Sequence, residues 1–575
     1  MNRLSFLFCY LLLAAACGSG GESNKTELRK APKGDAYYGG VFNFNEEEYF
    51  RSLFPHNIGE VGGHRIANLI YEGLVRLDQA NLSLQPCIAE RWEVNDNATQ
   101  YTFHLRKGVL FHDDPCFEQG KGREVTAKDV KYCLDLLCSA SSTNIGWGYV
   151  GGRIQGSEVH YTATQKGTRP EGGVSGIKVL DDYTLQIDLE QPFSSFLYIL
   201  AMPLGYIFPR EAYEKYGIDM RVKTVGTGPF TLKALRENET VILRRNEHYW
   251  DKDKDGNPLP YLDGARFSFI NDKMAELLRF KQGKLDMVFK LPYEILDQIV
   301  DRQGNLQGEY QQFVHQDLVS MSTQYYGFLT DGKQFSDPRI RQAFAYAVDR
   351  QKIANFTLKG GAVPGIYGFV PPAFAQYPHE SVKGYIYSPA KAKELMAAAG
   401  YPKGKGFPDV TLQINSGGKR NEQVAEAVQK MLQDVLNVRV KITKVPFSQH
   451  LEMQETRKVD FWRAGWIADY PDPENFLTFL WGKHLPKDPN ERTYQNTFRY
   501  RNAEYDKIFV EALQTADEAQ RNLLYAKADQ IAVSDAPFMV LYYDKDKRLL
   551  QKHVRNMPQN PMEYRLLHNV YFAPQ

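Results

Sequence analysis

Apolar positions along this chain recur with two different periods, and stretches of each period are interleaved from one end to the other. Tyr101, Phe103 and Leu105 alternate with polar neighbours and run into a turn at Lys107-Gly108, which predicts a strand with one buried face. After Thr126 the spacing changes. Val130, Leu134 and Leu137 fall on one helical face, and Asp129 stands where a capping box needs its acid, so a helix is predicted from Thr126. Asp337-Pro338 opens a second helix, with the proline in its first turn and Ile340, Phe344 and Val348 facing one way. Ser388-Pro389 opens a third, which Gly400 stops. Asn421 to Leu436 is a fourth amphipathic helix, leading into a strand from Val438 to Val445, and a late helix from Asp517 to Val533 precedes the apolar strand Phe538–Tyr543. Helices and strands in this irregular order predict mixed α/β lobes and argue against an all-α bundle or a β-barrel.

The N-terminus follows neither pattern. Met1-Asn2-Arg3, an apolar run from Leu4 to Ala16, and then Cys17 before Gly18-Ser19-Gly20-Gly21 predict a signal peptide over residues 1–16 with the Cys17 thiol acylated. The apolar run is too short for a spanning helix. Ala14 stands where a lipobox usually has Leu, and ordinary cleavage without a lipid is the alternative. Residues 17–35 are polar and rich in Gly, Ser, Lys and Glu, which predicts a flexible tether and a fold that begins near Tyr37.

Composition narrows the function. At 575 residues the chain exceeds one hydrophobic core, so about two to four domains are expected. Lys plus Arg number 70 against 69 Asp plus Glu, and a balanced chain without a basic stripe excludes nucleic acid as the expected partner. Thirty-five tyrosines are enough to line an amphipathic cleft as well as a core. Beyond Cys9 and Cys17, the remaining cysteines are Cys87, Cys116, Cys133 and Cys138. An even cluster in an exported chain predicts at least one disulfide, with all three pairings open, and buried apolar thiols as the alternative.

The densest chemistry lies in Arg463-Ala464-Gly465-Trp466-Ile467-Ala468-Asp469-Tyr470-Pro471-Asp472-Pro473, where opposite charges flank aromatic surface in what reads as a loop punctuated by Gly and Pro. Such a segment can hold a zwitterion. It resembles the ligand-gripping segment of the periplasmic oligopeptide-binding proteins, members of the extracellular solute-binding protein family 5, which are the solute-capturing subunits of peptide and nickel ABC importers. Further blocks carry the same resemblance in the same order: Ile70 to Val75, Ala89 to Val94, Tyr101 to Gly108, Gly226 to Phe230, Asn246 to Trp250 and Arg339 to Arg350.

The resemblance implies a two-lobed periplasmic binding protein fold of type II, the Venus flytrap, with an extra third domain. Lobe I would comprise residues 36–71, 205–320 and 538–575, the extra domain 72–204, and lobe III 321–537, with ligand closed between lobes I and III by a hinge. It implies that Asp469 takes a peptide α-ammonium and that Arg463 can take the C-terminal carboxylate of a short peptide. Gly465, Trp466, Ile467, Phe447 and Asn421 complete the implied ligand-binding set. Phe447 stands where close relatives have Trp, Ile467 where they have Cys, Asn421 where they have a carboxylate-reading His, and Gly59 where they have an acid that Glu60 supplies one place later. The implied partners are short peptides and an inner-membrane ABC permease with its ATPase subunits. The implied protein is a lipid-anchored monomer on the periplasmic side of a bacterial membrane, with no cofactor and no resident metal.

From the residues alone, Arg463 is equally able to pair with Asp460 or Asp472, and Trp466 to sit in the core. Asp251 to Gly256 copies the first half of a calcium loop but has Leu262 at the twelfth position, so a solvated turn is expected. His112-Asp113-Asp114 near Cys116 reads as an Asp-rich turn. No HExxH, GxSxG, P-loop or GxGxxG motif occurs, which leaves no nucleophile or base to name. The alternatives are capture of another solute, such as a nickel chelate, haem or an oligosaccharide, and, behind that, an exported peptidase.

Overall fold

A computed structural model describes residues 27–574 apart from 302, 417 and 516. The signal segment, Cys17 and the first part of the tether lie outside the described residues. The rest of the tether is largely exposed but hydrogen-bonded to the globule, so regular structure begins at Arg29, ahead of the expected Tyr37. Arg29–Lys30 pairs antiparallel with Tyr37–Tyr38, and Ala31 is buried with its amide on the Ala36 carbonyl at 2.9 Å. Lys33 and Asn257 exchange two hydrogen bonds, of 3.2 and 3.0 Å. Polar side chains facing water concealed a backbone that the globule satisfies.

Two four-stranded sheets and one of seven strands organise the molecule. The first runs Phe230–Arg236, Thr240–Arg245, Gly264–Phe269 and Val41–Glu46, the last pair parallel. The second runs Ala89–Val94, Gln100–Leu105, Thr184–Asp188 and Ile177–Asp181, antiparallel throughout. Tyr101, Phe103 and Leu105 are its buried face, as their alternation predicts. Helix Ala127–Leu137 packs on this sheet and begins with the capping box of Thr126 and Asp129.

The largest sheet orders Met287–Phe289, Phe538–Leu550, Val314–Phe328, Phe461–Ile467, Val410–Asn415 and Val440–Val445, with Ala362–Pro364 also pairing to Phe538–Leu550. Its two long central strands pair from Val314 with Leu550 to Val319 with Lys545, lose register, and resume at Thr323 with Tyr543. One end of this pair adjoins Met287–Phe289 and the other adjoins Phe461–Ile467. The ladder is therefore interrupted between Val319 and Thr323.

The strand predicted over Phe538–Tyr543 continues to Leu550 through a charged run. It can do so because each charge is neutralised inside the fold. Asp544 meets Arg420 at 3.1 Å and Lys290 at 3.5 Å, Lys547 meets Asp317, and Arg548 meets Glu563 at 3.5 Å.

Cys87, Cys116, Cys133 and Cys138 are free thiols, which corrects the expected disulfide. Cys133 and Cys138 lie five positions apart at one helix end, about 140° apart around its axis. Cys87 donates to Glu72 Oε1 at 3.5 Å, and Cys133 donates to the Phe208 carbonyl at 3.3 Å. These are packing residues with local partners.

Candidate ligand-binding cleft

A cleft of about 730 Å³ separates the end of strand Phe461–Ile467 from a facing wall built on residues 45–65. Arg463, Gly465, Trp466, Ile467, Asp469 and Phe447 all line it. Asn421 does not. It is buried behind the cleft, 3.4 Å from Asn415, whereas Arg420 reaches the cleft wall. One residue along a helix is a rotation of about 100°, enough to exchange an open face for a buried one.

Asp469 is half-buried and has only neutral donors: Tyr149 Oη at 3.1 Å and Asn475 Nδ2 at 3.4 Å. Burial pushes its carboxyl above the usual range, with the neighbouring His64 and the two donors offsetting part of the rise. A carboxylate so placed gains from an incoming cation. Arg463 is its counterpart. Its guanidinium donates to Asn415 Oδ1 at 3.2 Å and to Gln324 Oε1, and it forms no ion pair among the described residues. Neither Asp460 nor Asp472 pairs with it. Burial lowers its pKa, but a guanidinium stays charged and is left facing the cleft.

Between these charges the backbone itself is available. Strand Phe461–Ile467 pairs with Val314–Phe328 on one side, and with Val410–Asn415 on the other only at Trp462. The Arg463 carbonyl turns away from the first partner and accepts from His450 Nε2 at 2.7 Å. Alternation turns Gly465 and Ile467 the same way, while Ala468 donates back to the Met321 carbonyl at 2.8 Å. The backbone groups of Gly465 and Ile467 thus form an open strand edge on the cleft.

Asn475 fixes the far end of that edge. Its Oδ1 accepts from Trp466 Nε1 and from the Asp469 amide, both at 2.9 Å. Trp466 packs edge-on against Phe479 at 4.3 Å, half-buried, so it is a cleft wall and not a core residue. Tyr149, Asn475, Gln324 and Arg420 support or line the site, and the sequence reading did not single out any of these for the site. Tyr149 and Gln324 are remote in sequence from the residues they hold. Asn475 follows Asp469 by only six positions and was within reach of an N-cap or turn argument.

Comparison with known proteins identifies the family. Residues 83–485 match the model of the bacterial extracellular solute-binding proteins, family 5 Middle. The chain belongs to that family. Family 5 members are solute-binding proteins, not enzymes. The dipeptide-binding protein DppE of Bacillus subtilis is 28% identical over 518 residues, 86% of this chain and 85% of that protein. The periplasmic oligopeptide-binding protein OppA of Escherichia coli is 28% identical over 539 residues, 92% of each. Among solved structures, the periplasmic binding protein DppA of Helicobacter pylori in complex with the peptide STSA superposes with a TM-score of 0.80, at 24% identity, over 93% of this chain and 98% of that one. The fold is the two-lobed type II fold.

Proposed function

We propose that this chain captures short peptides in the cleft and delivers them to an ABC permease and its ATPase subunits. The free ammonium would sit on Asp469, the peptide backbone would add to the open edge at Gly465 and Ile467, and the C-terminal carboxylate would meet Arg463. The observation that carries this reading is the Asp469 carboxylate, half-buried on the cleft with neutral donors and no ion pair among the described residues. The six positions from Arg463 to Asp469 span at most about 20 Å, less the reach of the arginine, which suits a peptide of a few residues. Side chains would occupy the hydrated remainder of the cleft, where water adapts to their variety.

The relatives named for dipeptides and oligopeptides support the same solute class. The sequence from Met1 to Cys17 supports secretion, cleavage before Cys17 and a lipid anchor on the periplasmic side. Among the described residues no helix is long and apolar enough to cross a membrane. Mass spectrometry of the solute released by denaturing the purified protein tests the proposal. Short mixed peptides are expected; a nickel chelate, haem or an oligosaccharide would replace it.

A further inference from the structure

Six carboxylates and six lysine or arginine side chains line the cleft, and most neutralise one another. Glu46 pairs with Arg65 at 2.8 Å, Glu47 with Lys273 at 2.7 Å, and Glu60 with Arg51. Glu455 pairs with Arg492, while Lys290 and Arg420 share Asp544 beneath the floor. Of these twelve side chains, three remain without an ion pair among the described residues: Asp469, Arg463 and Glu48. The first two answer the ends of a peptide. Glu48 answers neither.

Glu48 follows the strand Val41–Glu46 on the wall facing Arg463, half-buried, and its side chain accepts no hydrogen bond among the described residues. Burial and the neighbouring Glu47 push its carboxyl up to about 7, and the charge of Arg463 offsets only part of that rise. Its two acidic neighbours in sequence are both held by cations of the fold, so Glu48 is not one of a generally acidic surface run. A cleft with two unpaired anions and one unpaired cation fits a ligand with two cations and one anion. We infer that Glu48 selects for a cationic side chain, so that the preferred ligand is a short peptide carrying one lysine, arginine or comparable base. This rests on the peptide reading above. The competing account of Glu48 is that it merely counterbalances Arg463 in the empty cleft.

Calorimetry at neutral pH separates these. The ligands are alanine tri- and tetrapeptides in which one position carries lysine or its uncharged isostere norleucine. At one position lysine should bind about tenfold or more tighter than norleucine, and Glu48→Gln should reduce that ratio to about threefold or less while all-alanine peptides change little. Glu48→Lys should reverse the preference toward a glutamate at the same position. A lysine advantage at no position, or one that survives in Glu48→Gln, overturns the inference. So does a uniform gain for every peptide in Glu48→Gln, which is the signature of a counterweight to Arg463. Failure of the parent to bind any of the peptides overturns the peptide reading and this inference with it, whereas binding without discrimination overturns this inference alone.

Discussion

The phenol of Tyr149 donates to Asp469 Oδ2 at 3.1 Å, joining two residues 320 positions apart. Tyr149 belongs to the short helix Trp147–Val150 and is 5% exposed, so the region carrying the second four-stranded sheet reaches the ligand cleft through this contact. The Asp469 carboxylate is placed by two regions at once, with Asn475 holding it from its own loop.

Removing the phenol should therefore weaken binding without unfolding the protein. Tyr149→Phe leaves a well-packed ring and deletes one donor to a charged acceptor, a loss of about 1–2 kcal/mol in affinity for a free-ammonium peptide. The pH profile should move as well. The Asp469 carboxyl is already raised in the empty cleft, so as pH falls through that value a proton competes with the ammonium and affinity drops on the acid side. Without Tyr149 the ionised form is less favoured, and the acid fall-off should begin at higher pH. Titration calorimetry across the acid range checks both effects; unchanged affinity and profile would mean that Tyr149 only packs.

Gly465 is required for more than an accessible edge. A Cβ at this position would stand 2.4 Å from Gln324 Oε1 and 2.8 Å from its Cδ. Gln324 is buried, receives Arg463 on Oε1 and donates to Asp544 at 2.7 Å. Gly465→Ala should lower stability by about 1–3 kcal/mol through overpacking and displace Gln324 from Arg463. The affinity gap between a free-acid peptide and its amide should shrink in this variant. Denaturant unfolding and calorimetry with the two peptides are the measurements, and a variant identical to the parent in both would remove the role given to Gln324.

Thiol counting tests the cysteine assignment. Denatured, unreduced protein should yield four reactive thiols from Cys87, Cys116, Cys133 and Cys138, and the native protein should expose chiefly Cys116, because the other three are at most 1% exposed. Burial also pushes the Cys116 thiol up to about 12, with Asp114 adding to the rise, so its native reaction should be slow. Fewer than four thiols after denaturation would restore a disulfide.

What the sequence disclosed follows from the range of each interaction. Thr126 with Asp129, Asp337 before Pro338, and Gly400 at φ +95° are settled within a turn or two of chain, and the structure places caps and a stop where they were expected. Arg463 to Ile467 was expected as loop from its Gly and is the end of a strand, whose pairing with Val314–Phe328 lies outside that segment; its charge and that of Asp469 are nevertheless close enough in sequence to be noticed together. Val314–Phe328 was not legible, since its His315, Gln316 and Asp317 look like loop residues until Lys547 and Arg548 on the partner strand are known. The same blindness to distant partners hid the hydrogen bonds between Lys33 and Asn257 and the Tyr149 contact. Asn421 differs in kind: a position carried over from relatives was one residue out of phase with the face that Arg420 presents.

The central claim is that Asp469 fixes a peptide ammonium, and a double-mutant cycle on that charge pair addresses it most directly. Asp469→Asn keeps the shape and removes the charge, and acetylating the peptide removes the opposite charge. Calorimetry with one short peptide, its acetylated form and both proteins should show each single change weakening binding by about 2–4 kcal/mol. The two changes together should cost much less than their sum, because each alone strands one charge and both together strand none. Equal affinity of the parent protein for the free and acetylated peptide would contradict the account.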